Sequence, residues 1–155
     1  MKLINIDTSS DKLLIKEYIS MYLKLMDLHY EAAALQGIYD KKCDNKTKTD
    51  AIEKLKDPNI RIELLCDNAE VVGYVRYQYD DTETQFMITE DNYIGIHIRQ
   101  LYIKNAWRSN EYGTYIIQEL KNRHKKISLN CYYSLEANDF YKKLGFKPVI
   151  TTYLS

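Results

Sequence analysis

Two prolines and five glycines punctuate 155 residues, and the two prolines, Pro58 and Pro148, stand far apart. No linker, repeat or low-complexity tract therefore divides the chain, and its length fits one domain that buries roughly 70% of its unfolded surface. Three cysteines (Cys43, Cys66, Cys131) are odd in number and show no C-x-x-C spacing. They read as reduced thiols of a cytoplasmic protein, not as a disulfide framework or a zinc site. Three histidines, His29, His97 and His124, fail every metal-ligand spacing. No apolar run approaches the length that spans a bilayer, and the start Met1-Lys2-Leu3-Ile4-Asn5-Ile6-Asp7 has no apolar core of signal-peptide type. Net charge is also missing: 22 basic side chains meet 22 acidic ones. That argues against a nucleic-acid binder, whose affinity comes from neutralised phosphates.

What is present is a globular composition, 45% hydrophobic and 28% charged. Alternation predicts a short strand over 2–6, and Thr8-Ser9-Ser10-Asp11 has the form of a capping-box variant. Apolar residues at Ile15, Ile19, Tyr22 and Met26 then step by four, three and four, which predicts a helix over 11–28. A second helix over 31–36 would stop at Gly37, and a third over 47–56 would stop before Asp57-Pro58. The period changes at Ile60: strands over 60–66 and 71–79 would form a hairpin across Asp67-Asn68-Ala69-Glu70. The acidic stretch 80–92 reads as an extended connection, and 93–103 as the longest strand. A helix over 113–125 comes next, with Ile116, Ile117 and Leu120 inward and Lys121, Arg123, Lys125 and Lys126 as favourable charge at its C-terminus. A strand over 127–132, a helix over 135–144 stopped by Gly145, and a strand over 149–153 complete the order βααα-β-β-β-α-β-α-β. That order is α/β, a mixed sheet with helices on both faces.

The stretch from Leu101 to Thr114 carries a buried strand through a polar loop straight into an amphipathic helix. The first amides of a helix lack internal partners and sit at the positive end of its dipole, so such a turn favours phosphate. Downstream, Ala137-Asn138-Asp139-Phe140-Tyr141-Lys142-Lys143-Leu144-Gly145-Phe146 fits A-x-x-F-Y-x-K-x-G-F. Arg108-Ser109-Asn110-Glu111-Tyr112-Gly113 falls on [Q/R]-x-x-G-x-[G/A], Leu101-Tyr102-Ile103 on L-x-V, and Asn68 to Tyr74 on a hairpin turn before V-G-Y. On these motifs the chain resembles the GCN5-related N-acetyltransferase (GNAT) family from about residue 60 to 146, and only in topology before that. Two positions depart from the pattern: Glu111 stands where glycine is usual, and Ser134 where many members have asparagine. Both bear on cofactor affinity rather than cofactor identity.

The resemblance implies the GNAT fold: a central, mostly antiparallel mixed sheet of six to seven strands, splayed between the fourth and fifth, with helices on both faces. It implies an N-acetyltransferase that moves acetyl from acetyl-CoA to a primary amine by direct attack in a ternary complex, without a metal. Main-chain groups of Leu101 and Ile103 would hold the pantetheine arm. Amides of Arg108, Ser109, Asn110, Glu111, Tyr112, Gly113 and Thr114 would cradle the pyrophosphate, with the Arg108 guanidinium as a further charge partner. Ser134 and Ala137 would complete the cofactor side. Tyr141 matches the phenol placed near the cofactor sulfur, where it can protonate the leaving thiolate. The base that frees the acceptor amine is His97, Glu31 or a water; an ordinary imidazole would suit neutral pH. The acceptor side would draw on Arg99 and Gln100 and on a junction between the first two helices at Leu28-His29-Tyr30-Glu31. Arg99 and Gln100 replace acids common in polyamine acetyltransferases, and Arg99 could pair with a substrate carboxylate. A small-molecule amine is expected ahead of a protein lysine or N-terminus. A CoA-binding module without turnover is the rival reading from a different class. The expected protein is a monomer or homodimer that contacts no membrane and no nucleic acid.

Overall fold

The computed structural model describes residues 1–38, 42–79, 95–131 and 136–148. The expected connection over 80–92, the strand over 149–153, Ser134 and the tyrosines at 132 and 133 lie outside them. Five strands form one sheet in sequence order: β1 (Lys2–Ile6), β2 (Ile60–Asp67), β3 (Glu70–Tyr79), β4 (Ile96–Ile103) and β5 (Ile127–Leu129). The first four run antiparallel and β5 joins β4 in parallel, which makes the mixed sheet expected. Four helices flank it: α1 (Lys12–Leu35), α2 (Asn45–Lys56), α3 (Tyr112–Arg123) and α4 (Ala137–Lys143).

The sheet separates two cores. Tyr18, Met21, Tyr22 and Leu25 of α1, with Ala51 and Leu55 of α2, bury against Ile62, Leu64, Tyr74 and Tyr102. On the other face Ile116, Ile117 and Leu120 of α3 are fully buried against Val72, Val75, Ile96 and Ile98. The stripe that α1 buries is turned from the Ile15–Ile19–Tyr22–Met26 line: Tyr22 is buried as expected, but the other three are only partly buried at its margin, and Tyr18 joins Tyr22 at the centre. Tyr18 stacks edge-on against Tyr74 and donates its hydroxyl to the Ala51 carbonyl, so a large ring serves both the core and the α1–α2 contact.

Two expectations about helices are corrected. The helices over 11–28 and 31–36 are one helix, because Leu28-His29-Tyr30-Glu31 contains nothing that breaks it. There is accordingly no helix junction at those residues. The stop is at Gly37, left-handed at φ 69°, where the Gly37 and Ile38 N–H groups return to the carbonyls of Ala34 and Ala33. At the other end Asp11 alone caps α1, accepting from Leu13 N–H, while Ser10 and Asp7 close their own turn. The reciprocal capping box sits instead on α2, between Asp44 and Thr47.

Three features of this scaffold shape the region around the end of β4. At Arg99, β4 carries one extra residue against β3: Gln100 pairs with Arg76, and Ile98 with Tyr77. Among the described residues β4 and β5 pair from Ile96 to Ile98, and no pairing between them is found from Arg99 onward. Finally, α3 is pinned at both ends. The Tyr112 hydroxyl donates to Asp67 at 2.6 Å on the β2–β3 hairpin, and Arg123 grips buried Glu63 of β2 with two bonds of 3.0 and 3.2 Å. Tyr77 completes the latter by donating to Glu63 at 2.8 Å.

Candidate active site

Main-chain polarity along β4 is set by the ladder. Lys104 N–H donates to the Val72 carbonyl, so Lys104, Tyr102 and Gln100 face β3. Leu101 and Ile103 therefore turn their N–H and C=O groups the other way, toward the edge of β4 that pairs there with no described strand. Their side chains pack on the α3 side. Without the extra residue at Arg99 the alternation would run out of phase and these groups would be spent on β3.

The chain leaves β4 through a short helical turn, Asn105–Trp107, and reaches α3 by a strained crook. Ser109 and Glu111 adopt left-handed backbone at φ 66° and 61°, a region that costs a side-chain-bearing residue roughly 1–2 kcal/mol. Asn110 ties the crook by donating weakly, at 3.4 Å, to the carbonyls of Trp107 and Arg108. Within the described residues no hydrogen bond uses the N–H groups of Ser109 to Thr114; the first satisfied one is Tyr115, which donates to Glu111. Six consecutive donors thus stand open at the positive end of α3. Glu111 is exposed, and its positive φ explains why glycine is the usual choice there. Tyr112 contributes only its main chain, since its hydroxyl belongs to Asp67, whose hydrogen bond raises the phenol's pKa.

Arg108 does not project its charge into the crook. Its guanidinium folds back, donating from Nε to the Ile103 carbonyl at 3.0 Å and lying over the Tyr102 ring. It thereby closes one of the two free carbonyls on that edge of β4.

Gly113 has a role beyond small size near a phosphate. A Cβ there would stand 3.1 Å from Cζ of Phe140, so the missing side chain is what lets α4 dock on the first turn of α3. That docking brings Tyr141 into the same neighbourhood, ringed by Phe140 and Phe146. Burial pushes its phenol well above the usual range, and neighbouring Cys131 adds to the shift. The phenol stays protonated at neutral pH, as a proton donor requires. α4 ends at Gly145 (φ 85°), with Phe146 N–H returning to Tyr141, and Lys121 of α3 donates to the Leu144 carbonyl at 2.6 Å. One cation of the Lys121–Lys126 cluster is thus used to hold α4. Ala137 is half-buried as the first residue of α4, and Thr114 is half-buried on the first turn of α3.

The remaining candidates lie on the α1 face or in solvent. His97 falls between Ile96 and Ile98, both of the α3-side core, so it points to the opposite face. It is 3% exposed, with Nδ1 and Ser128 Oγ 2.6 Å apart across the parallel pair. Burial, with Arg99 nearby, lowers its pKa to about 4, well below the near-neutral imidazole anticipated. Gln100, also buried, accepts from the Tyr74 hydroxyl at 2.9 Å and donates to Met26 Sδ. Arg99 is exposed at the bulge and Glu31 is exposed on α1. His29 is half-buried and Tyr30 buried on the same helix, not at a junction. Sequence reading missed Arg76, which lies over the Tyr22 ring and lowers the pKa of His29, whose own burial is the larger cause. Its signal was the inward-facing place of an arginine in Val75-Arg76-Tyr77. Among the described residues no three or more His, Cys, Asp or Glu form a metal-binding group, and no helix is long and apolar enough to cross a membrane.

Comparison with known proteins gives the site a context. The profile of the acetyltransferase (GNAT) domain matches residues 59–148. A search of curated proteins by sequence finds no match. Solved structures share the fold at low identity. A Bacillus halodurans protein superposes with TM-score 0.72 at 15% identity, covering 100% of this chain and 98% of its own. An aminoglycoside antibiotic 6'-N-acetyltransferase from Acinetobacter haemolyticus gives 0.69 at 10% (100% and 97%). A ribosomal-protein-alanine N-acetyltransferase from Brucella melitensis biovar Abortus gives 0.64 at 12% (100% and 99%).

Proposed function

The chain belongs to the GNAT acetyltransferase family, and from that premise we propose that it transfers acetyl from acetyl-CoA to the primary amine of a small molecule. The observation that carries this reading is the row of six open N–H donors from Ser109 to Thr114, lying next to the edge of β4 that pairs with no described strand. A pyrophosphate would accept from those donors, and a pantetheine amide would pair with the main chain of Leu101 and Ile103. When bound, acetyl-CoA supplies an acetyl group activated as a thioester.

The protein's own contribution is placement and proton handling. The Leu101 N–H would polarise the acetyl carbonyl, a contribution of about 2.7–4 kcal/mol where such donors have been removed elsewhere. Tyr141, kept protonated by burial, would hand its proton to the departing thiolate. Proton removal from the acceptor ammonium is assigned to water: Glu31 faces solvent, and His97 is a weak base already engaged with Ser128. The acceptor would meet the α1 face of β4, where Gln100 is bonded to Tyr74 and to Met26 of α1. Ala137, the first residue of α4, would flank the cofactor from that side.

A second reading, a CoA-binding module without turnover, is favoured by the state of the two candidate bases, His97 being buried against Ser128 and Glu31 exposed on α1. Calorimetry with acetyl-CoA, followed by a thiol-release assay over a panel of amines and amine-bearing peptides, separates the two. Micromolar binding with release on a small amine supports the enzyme. Binding with no release on any acceptor supports the module, and absence of binding removes both.

A further inference from the structure

Arg76 is a half-buried cation with no ion-pair partner among the described residues. Its Nε is shut off from solvent and makes no hydrogen bond. The ion pairs among the described residues are Lys56–Glu53, Lys104–Glu17 and Arg123–Glu63, none of which includes it. The contrast with Arg123, held by both oxygens of Glu63, is instructive: where this fold needs a structural arginine, it provides the carboxylate. A carboxylate near this region, Asp50, acts on Tyr22 and forms no ion pair with Arg76. Arg76 lies 5.8 Å from the Tyr22 ring centroid, and across the ladder it faces Gln100, whose amide is taken by Tyr74 and Met26. Burial, and then Arg76 itself, lower the pKa of His29. A guanidinium left in such a place is costly unless an anion completes it.

Its position says where that anion would come from. Arg76 pairs with Gln100, so its ladder neighbour Val75 pairs with Leu101, the residue whose main chain faces the edge of β4 that pairs with no described strand. Adjacent strands are about 4.8 Å apart, which sets Arg76 within a small molecule's length of that edge. We propose that Arg76 is a specificity-determining residue that binds a carboxylate on the acceptor, making the substrate an amine that also bears a carboxylate, such as an amino acid. This rests on the acetyltransferase reading above. A single guanidinium without an ion-pair partner suits one singly charged planar anion, which it can grip with two parallel N–H bonds. The same cation repels a purely cationic acceptor, which excludes polyamines.

The test uses the full chain and matched triplets: an aromatic, an aliphatic and an acidic amino acid, each with its amide and with the amine left when the α-carboxylate is removed. Thiol release gives kcat/KM, calorimetry gives acetyl-CoA affinity on the same preparations, and thermal melts check folding. The expected result is a preference of about 30-fold or more for the carboxylate-bearing member of a triplet. That preference should collapse to within about threefold in Arg76→Gln and return in part in Arg76→Lys. A wild-type protein that acetylates the amide or the bare amine equally well overturns the proposal, as does a preference that survives Arg76→Gln. Should Arg76→Gln not fold, a carboxylate preference in Arg76→Lys equal to that of wild type, with KM unchanged, counts against it in the same way. Acetyl-CoA binding without release on any member also overturns it. Failure of acetyl-CoA to bind instead removes the acetyltransferase reading on which it stands.

Discussion

The histidine at the point where β4 and β5 pair should make the protein acid-sensitive well above the pH at which carboxylates titrate. His97 is 3% exposed, sits against Ser128 Oγ, and has its pKa lowered from 6.5 to about 4 by burial and by Arg99. The folded value lies below the unfolded one, so as pH falls the unfolded chain takes up the proton first and stability is lost. The loss begins near pH 6.5 and is complete near pH 4. Linkage sets it at about 2 kcal/mol at pH 5, and at only a few tenths at pH 7. His97→Asn keeps a polar atom near the Nδ1 position for Ser128 but does not titrate. Urea unfolding of both proteins at pH 7 and pH 5 isolates the effect, because the carboxylates and the other two histidines are common to both. His29 and His124 are also lowered by burial, so the variant keeps some acid sensitivity. The stability lost between the two pH values should be about 2 kcal/mol smaller in His97→Asn than in wild type. A difference below about 0.5 kcal/mol would show that the imidazole is not held neutral.

Tyr141→Phe should lower kcat by about 100-fold while leaving the acetyl-CoA KM within about twofold, in steady-state kinetics; an unchanged kcat removes the proton-donor role. Glu111→Gln takes a carboxylate from the crook without altering its backbone, so calorimetry at low salt should show acetyl-CoA binding about two- to fivefold tighter, a gap that closes as salt is raised. If the affinity is insensitive to both, the pyrophosphate does not sit at the crook. Gly73→Ala drives a Cβ into the Tyr102 carbonyl oxygen and to 2.6 Å from Ile103 Cδ1. It should destabilise the protein by about 3 kcal/mol in urea unfolding, since the main chain of β4 cannot rotate away as a side chain could.

How much of this was legible in the sequence depended on range. Local chemistry reads well: the Gly37 and Gly145 stops, the Asn68-Ala69 hairpin turn, and the Ile116–Ile117–Leu120 face of α3 are all as the residues indicated. The break expected inside α1 is absent: the apolar stripe lapses at Leu28-His29-Tyr30-Glu31, while those four residues are all compatible with a continuing helix. The stripe of α1 was misplaced for a related reason. Tyr18 was not counted as core, although a tyrosine whose hydroxyl finds the Ala51 carbonyl buries as completely as leucine. Of the site, the crook and α4 were visible through motif spacing, while what their residues do in space was not. Gly113 looked like room for a phosphate and is also room for Phe140. Arg108 looked like a charge for the cofactor and is a brace on β4. For Arg76 the sequence offers only its inward-facing place in β3; that the described fold gives it no ion-pair partner is not legible there, since every charge in a sequence is surrounded by others that could reach it.

One extra residue accounts for much of the site's geometry. With Arg99 set aside as the bulge, His97 and Gln100 share the α1 face although three positions apart, and Ile98 and Leu101 share the α3 face. The same phase change swings the main chain of Leu101 and Ile103 from β3 to the opposite edge, beyond the Ile98–Leu129 pair. A regular strand would have to choose: either it pairs with β3 along its length and has those residues facing it, or it loses β3. The insertion lets β4 keep β3 on one edge while offering donors and acceptors on the other, at the height of Arg76 and just before the crook of α3. The three binding groups proposed above, a strand edge, the first amides of α3 and Arg76, thus lie on or beside one irregular strand. This is why bulges are found beside sites of chemistry and not only at worn sheet margins.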